Sequence, residues 1–525
     1  MVEARAELAF LTRRSRSELW SLLQILRRAR SDPRIAGLFL DAGAAGFGGS
    51  GLGWSKVESL GRAIGEIRAA GKPTVAFLER GGHLQYLLAS ACETLVMAPG
   101  ATLSLVGLSA EAFFFKDVLE AVGLEPQIES VGEYKSAGER FTRREMSAFQ
   151  REQMESLLDD LDRQMTETLA LARRLPPDRA RDLLRQGPYL AEECRELGLV
   201  DRVGHPDSCQ AFLEDKLGGK AVFLSHDRYP LGDGFFRRLL TRRRPQVALL
   251  HVTGLIGARG GGARSTTALL SEQLQRARES PRVKAVVVRI ESPGGDAVSS
   301  DLIWREMART REKKPLVISL GDVAASGGYY LATAGDLVVA ERSTLTGSIG
   351  VLGGKLVGHR LLAKLGIHRE SISLGPHSGF GSPFEPYNPI QRQKLRGHLQ
   401  HFYEKLFVPR VALGRRLSPE RVREIGRGRV WTGGQSLSLG LVDRIGDLGL
   451  AVELGREKAG IAPGKKYRVV AYLPRRRLWE RLLWRFSRRL QPRATLLPWF
   501  ELFDLLDLLL ESEALFLAPW WVRIR

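Results

Sequence analysis

The sequence predicts an α/β protein built from two tandem copies of one β/α unit, followed by a tail of different composition. Three observations lead there: internal self-similarity at a near-constant spacing, strands that alternate with helices, and strands that are apolar almost throughout. The first is the strongest. Asp32-Pro33-Arg34-Ile35-Ala36-Gly37-Leu38-Phe39-Leu40 is echoed by Ser280-Pro281-Arg282-Val283-Lys284-Ala285-Val286-Val287-Val288. Gly71-Lys72-Pro73-Thr74-Val75 is echoed by Lys313-Lys314-Pro315-Leu316-Val317, and Leu197–Gly204 by Leu439–Gly446. The offsets are 248 (281 − 33), 242 (315 − 73) and 242 (439 − 197), a register that chance would not keep.

Each copy repeats one order of elements. A helical apolar pattern (Leu19, Leu22, Leu23, Leu26; then Leu269, Leu270, Leu274) precedes a β-rich run that ends in glycines. A second helix follows, then a strand introduced by Lys-Pro, a turn, a helix and a further strand. Alternation of this kind predicts a parallel sheet with crossover helices. The nearly unbroken apolar runs Ala285–Ile290 and Leu337–Ala340 suit strands buried on both faces. The expected organisation is a first copy at 1–230, a linker at 231–245, a second copy at 246–462 and a tail at 463–525. In the tail, Leu478, Trp479, Leu482, Leu483, Phe486 and Leu490 share one helical face surrounded by arginines. That pattern fits a helix lying on a membrane and equally one packed on its own domain. Leu496–Val522 is apolar but interrupted by five acids, which argues against spanning.

Composition narrows the function classes. The 525 residues exceed what one core usually organises, and 44% hydrophobic with 26% charged residues is ordinary for a folded protein. The net charge of +20 is compatible with an anionic membrane, nucleic acid or an acidic partner. Its arginine clusters, at 237–244 and 475–493, lie in no zinc-finger, helix-turn-helix or aromatic RNA-binding signature, so no nucleic-acid partner is assigned. Cys92, Cys194 and Cys209 have the spacing of neither a metal site nor a disulfide framework. No metal and no cofactor is expected. There is no uncharged apolar stretch of about 18 residues, and Met1–Arg16 lacks the apolar core of a secretory signal. Either the protein starts inside the cell or an anchor lies upstream of this start.

Two glycine-rich turns in the second copy carry the chemistry. Ser292-Pro293-Gly294-Gly295-Asp296 follows a strand and precedes a helix. Glycines there expose backbone N–H groups toward a developing oxyanion, or simply make a tight turn. In Ala324-Ala325-Ser326-Gly327-Gly328-Tyr329, small residues flank a serine at a helix start, where the dipole favours negative charge. An N-cap serine is the ordinary alternative; the Gly-Gly pair argues against it, glycine being poor in a first helical turn.

These segments, with Thr344-Leu345-Thr346-Gly347-Ser348-Ile349-Gly350 and the duplication, resemble the long bacterial form of the signal peptide peptidase A (protease IV) family. The resemblance covers nearly the whole chain up to the tail. It implies two Clp/crotonase-like domains and a serine peptidase with Ser326 as nucleophile. It also implies an oxyanion hole from the N–H groups of Gly327 and Gly294, and a lysine base in a segment like Val131-Gly132-Glu133-Tyr134-Lys135-Ser136-Ala137, namely Lys135. Ser348 matches the serine that hydrogen-bonds this lysine. Substrates would be cleaved signal peptides and other unfolded apolar peptides. The assembly would be a homo-oligomer, a tetramer, at the bacterial inner membrane, although the family's N-terminal membrane helix is absent from this sequence.

The duplication bears on the dyad independently. Lys135 falls opposite Ser378, and Ser326 opposite His83 or Leu84. One copy has the lysine and the other the serine, so neither would form the dyad alone. Burial at the site would lower the lysine pKa from its reference of about 10.4. Lys355 is the rival base, and His377, with no acid in its local segment, is the weak candidate for a histidine mechanism. Two other readings stand beside the peptidase: a crotonase-type acyl-CoA hydratase or isomerase, and a non-catalytic membrane scaffold. The first leaves the serine–lysine complementarity unexplained, and the second leaves the three motifs of the second copy unexplained.

Overall fold

The computed structural model describes residues 18–43, 52–226, 228–229, 244–257, 266–472, 515–517 and 523–524. The expected linker at 231–245 lies almost wholly outside these residues, as does the amphipathic helix expected at 478–490. The chain divides into two compact units. One comprises 1–108, 161–244 and 446–450, and the other 109–160, 245–445 and 451–525. Residues 109–160, which belong to the first sequence copy, group with the second compact unit.

In the first unit, Leu38–Asp41, Thr74–Leu78, Thr94–Met97 and Arg202–Val203 form a parallel sheet in that order. A smaller sheet joins Gly81–Gly82, Thr102–Ser104 and Tyr189–Leu190. In the second unit the spatial order is Val430–Thr432, Leu345–Gly347, Leu316–Ala325, Val283–Ser292, Gln246–Thr253 and Arg468–Ala471. Leu337–Ala340 also pairs with the first half of Leu316–Ala325, and Arg444–Ile445 pairs beside it. All these pairs are parallel except that of Leu345–Gly347 with Val430–Thr432. Val286, Val287, Val288 and Ile290 are wholly buried, as expected of strands covered on both faces.

Side-chain ties recur in both units and show the duplication at atomic detail. Lys72 Nζ donates to the carbonyls of Ala29 and Asp32, and Lys314 Nζ to those of Ala277 and Ser280. The Tyr86 hydroxyl donates to the Leu199 carbonyl, and that of Tyr329 to Leu441. Arg173 grips Asp201 with two nitrogens, and Arg415 grips Asp443 in the same way. The tyrosine pair has an offset of 243 (329 − 86), which places His83 opposite Ser326.

Arg468–Ala471, read as tail, is the edge strand beside Gln246–Thr253, and its Val469-Val470 pair is β-branched and suited to a pleated surface. The tail's farther described residues, Leu515–Leu517 and Arg523–Ile524, are strands.

Candidate active site

The site is assembled within the second unit, at the carboxyl ends of two parallel strands, where ligands of open α/β sheets bind. Val283–Ser292 runs into the Gly294–Asp296 strand, and Leu316–Ala325 runs into Ser326 and the helix Gly327–Ala332. The Gly294 turn leads directly into the helix Ala297–Arg311, whose N-cap Asp296 accepts from the Ser299 N–H at 2.7 Å. A cap of this type contributes about 1 kcal/mol and fixes where the turn ends.

The two turns touch. A Cβ on Gly327 would lie 2.8 Å from Ser300 Oγ, 3.2 Å from Gly294 Cα and 3.3 Å from Gly295 N. One on Gly328 would lie 2.6 Å from the Ser292 carbonyl oxygen. The pair of glycines after the serine is thus a packing requirement as well as an opening. Ser326 itself has φ 54, a left-handed conformation that a non-glycine residue holds at a cost of about 1–3 kcal/mol and that clusters at functional sites.

Lys135 reaches this serine from the turn after the strand Glu125–Val131, which pairs antiparallel with Val351–Val357. Its Nζ lies 2.6 Å from Ser326 Oγ, 3.0 Å from Ser348 Oγ and 3.0 Å from the Ser348 carbonyl oxygen. Lys135 is 3% exposed, and Ser326 and Ser348 are fully buried. Burial holds the lysine well below its ordinary pKa of 10.5. A neutral amine has two N–H groups and one electron pair. The Ser348 carbonyl can only accept, so it takes one N–H; Ser348 Oγ takes the other, and the electron pair faces the Ser326 hydroxyl. That is the arrangement of a base beside a nucleophile.

The backbone around the three side chains forms one hydrogen-bonded series. Ser326 N–H donates to the Gly347 carbonyl, Ser348 N–H to that of Arg429, and Gly428 N–H to that of Ile349. Tyr134 N–H donates to the Arg427 carbonyl. The threonines of the Thr344–Gly350 segment serve the same series: Thr344 Oγ1 donates to the Gly321 carbonyl and Thr346 Oγ1 to that of Ala324. Gly428, at φ +81, packs so closely that a Cβ there would lie 2.5 Å from Lys135 N. The clamp at 427–429 escaped sequence reasoning. Its signal was the alternation Gly426-Arg427-Gly428-Arg429.

Other candidates lie elsewhere. Lys355 Nζ donates to the Phe380 carbonyl at 3.0 Å and sits 4.0 Å from the Tyr387 ring centre; burial lowers its pKa to about 8. His377 is exposed. His83, opposite Ser326, turns Nε2 toward the Leu184 carbonyl at 3.4 Å. The Gly294 N–H donates to Ser292 Oγ at 3.2 Å. That N–H is thus already engaged, and a Cβ on Gly327 would lie 3.3 Å from the turn's other nitrogen, Gly295 N. Cys92, Cys194 and Cys209 are buried thiols whose pKa values burial pushes up to about 12, 12 and 11. Among the described residues no helix is long and apolar enough to cross a membrane.

The comparisons converge on one group of proteins. A family model described as Peptidase family S49 matches residues 66–219 and 308–462, once in each copy. The chain is 36% identical over 454 residues to "Serine protease SPPA, chloroplastic" of Arabidopsis thaliana, covering 84% of this chain and 66% of that protein. It is 30% identical over 449 residues to "Protease 4" of Haemophilus influenzae (81% and 71%). It is 30% identical over 459 residues to "Protease 4" of Salmonella typhi (84% and 72%).

Proposed function

This chain belongs to peptidase family S49 and is a serine peptidase, and we propose that it cuts peptide bonds with a Ser326–Lys135 dyad. The observation that carries the reading is the 2.6 Å contact between Lys135 Nζ and Ser326 Oγ in a site closed to water. Ser326 Oγ attacks the scissile carbonyl carbon as its proton passes to Lys135 Nζ. The oxyanion forms beside the Gly327 N–H and the Gly294–Gly295 turn. Collapse breaks the C–N bond, and the new ammonium returns its proton to the departing amine. Water then attacks the acyl-enzyme as Lys135 takes one of its protons; collapse breaks the acyl C–O bond to Ser326, Lys135 passes that proton to Ser326 Oγ, and the peptide leaves as a carboxylic acid that ionises to carboxylate.

The serine and the lysine come from different sequence copies, yet both fall in the second compact unit. The duplicated α/β organisation and the serine at the strand-to-helix turn support two domains of Clp/crotonase type. We assign unfolded apolar peptides, cleaved signal peptides among them, as substrates, with a homo-oligomer, a tetramer, working at a membrane surface. The test is cleavage of casein and of a synthetic signal peptide by Ser326→Ala and Lys135→Ala, beside fluorophosphonate labelling of the wild type. Both variants should lose activity. Turnover like that of wild type in either folded variant would overturn the dyad.

A further inference from the structure

Lys135 borders more than the nucleophile. A cavity of about 510 Å³, within the size range of ligand pockets, has this lysine as one of its walls. Ile128 and Val131 form its apolar part, whereas Glu133, Glu139, Thr142, Tyr403, Arg423 and Arg427 make the lining largely polar. No residue of the Gly294–Asp296 turn or of the Gly327–Ala332 helix is among its walls. The cavity thus adjoins the base and not the oxyanion turn.

The polar walls are fixed by their own partners. Arg427 pairs with Glu133 at 2.9 Å and Arg423 with Glu404 at 2.7 Å. Glu139 accepts from the Ser147 hydroxyl at 2.8 Å and from the Ser147 N–H at 3.1 Å. Tyr403 lies in the π-helical turn Phe402–Phe407, a rare element that recurs at functional sites. The same turn sets Phe407 against the ring of Tyr330, at 5.2 Å between ring centres, on the helix that follows Ser326. An apolar side chain pressed against these walls would displace their hydration and return no hydrogen bond. A hydroxyl or amide side chain returns one.

The half of a substrate that meets this cavity follows from the route of the proton. Lys135 returns it to the departing amine, so that nitrogen lies at Nζ, while the acyl half is held where its oxygen meets the glycine turn. We propose that the cavity receives the first side chains of the departing fragment and selects hydrophilic ones: serine, threonine, asparagine or glutamine. The inference rests on the Ser326–Lys135 reading above. It divides the substrate into apolar residues before the cut and hydrophilic ones after it.

The experiment uses the full chain and quenched fluorescent peptides that share one apolar acyl half and begin the departing half with Ser-Gln or with Leu-Leu. The kcat/KM should favour Ser-Gln by about tenfold, the discrimination that one or two hydrogen bonds to a fixed site give. Arg423→Leu and Thr142→Val each make one wall apolar and should lower that ratio by about threefold or more, with thermal melting as the check on folding. A second measurement needs no variant: the amides of Ser-Gln and Leu-Leu compete with water for the acyl-enzyme. The acceptor amine forms the new C–N bond as Lys135 takes one of its protons, and the acyl C–O bond breaks as that proton passes to Ser326 Oγ. The Ser-Gln amide should capture the acyl group about tenfold more effectively. Equal cleavage of the two peptides, equal capture by the two amides, or an unchanged ratio in the folded variants would overturn the proposal and leave the dyad standing. Fluorophosphonate labelling needs no peptide leaving group and reports the dyad itself. Absence of Ser326 labelling in the wild-type chain would overturn the dyad reading, and this inference with it.

Discussion

Lys135 Nζ meets Ser348 twice, at the hydroxyl and at the carbonyl oxygen, each at 3.0 Å. Ser348 is fully buried and holds φ 52, so its backbone is bent to aim both oxygens at one amine. The two contacts account for both N–H groups of a neutral lysine and turn its electron pair to Ser326.

Ser348→Ala removes one of the two acceptors. A hydrogen bond lost in an enclosed site is worth about 1–3 kcal/mol, so kcat should fall about 10- to 100-fold with KM little changed. The Ser348 oxygen also favours the ammonium form, which has more hydrogen to donate. Its loss should move the acid limb of the kcat profile to lower pH. An unchanged kcat and limb would show that the hydroxyl plays no part in holding the base.

The buried lysine also makes stability depend on pH. In the unfolded chain it binds a proton up to about pH 10.4, whereas burial lowers the folded-state pKa well below 10.5. Between those two values the unfolded state binds more protons, so wild-type stability rises with pH, by at most about 1.4 kcal/mol per unit. Lys135→Met lacks this dependence. Its stability relative to wild type should be greatest at and below the folded-state pKa and should decline as pH is raised from 7 to 10. Urea unfolding across that range checks this, and a constant difference would mean that the lysine is not neutral in the folded protein. Wild-type peptidase activity should rise over the same lysine titration, since only the neutral amine accepts the Ser326 proton.

Much of this site is legible in the sequence, and the illegible parts have physical causes. Ser326 and the Gly294–Gly295 turn are local signals, because a Cβ on Gly327 would lie only 3.2 Å and 3.3 Å from backbone atoms of that turn, and such close approach selects glycine. Lys135 is a different case. Its segment carries no strong local pattern, and it emerges only from the family likeness and from the absence of a lysine at the matching position of the second copy. The grouping of 109–160 with the second unit is not locally encoded at all. It depends on Glu125–Val131 pairing with Val351–Val357, more than 200 residues away, and neither strand names its partner.

The glycines separate into those that space requires and those that it does not. Gly328→Ala would place a Cβ 2.6 Å from the Ser292 carbonyl oxygen, a backbone atom that cannot swing away. It should cost about 1–3 kcal/mol in stability and abolish fluorophosphonate labelling. Gly65 lies within the helix Trp54–Ala69, and a Cβ there would meet nothing within 4 Å. Gly65→Ala should stabilise by up to about 1 kcal/mol, with unchanged activity. Equal effects of the two substitutions on melting and labelling would contradict the contact assigned to Gly328.

Gly428 tests whether the lysine is held dry by its neighbours. Its φ of +81 and the 2.5 Å and 2.7 Å that a Cβ would leave to Lys135 N and Cβ mean that Gly428→Ala must push the lysine turn outward. Water reaching Nζ would relieve the desolvation that lowers its pKa, so the acid limb of kcat should move to higher pH, opposite in direction to Ser348→Ala. The nearby Arg427–Glu133 pair, at 2.9 Å, is about half exposed on both sides and should be worth less than about 1 kcal/mol. Glu133→Gln should therefore leave kcat within about fivefold, by the same small energy. If Glu133→Gln moved the limb as far as Gly428→Ala, the surface charge and not exclusion of water would set the lysine's titration.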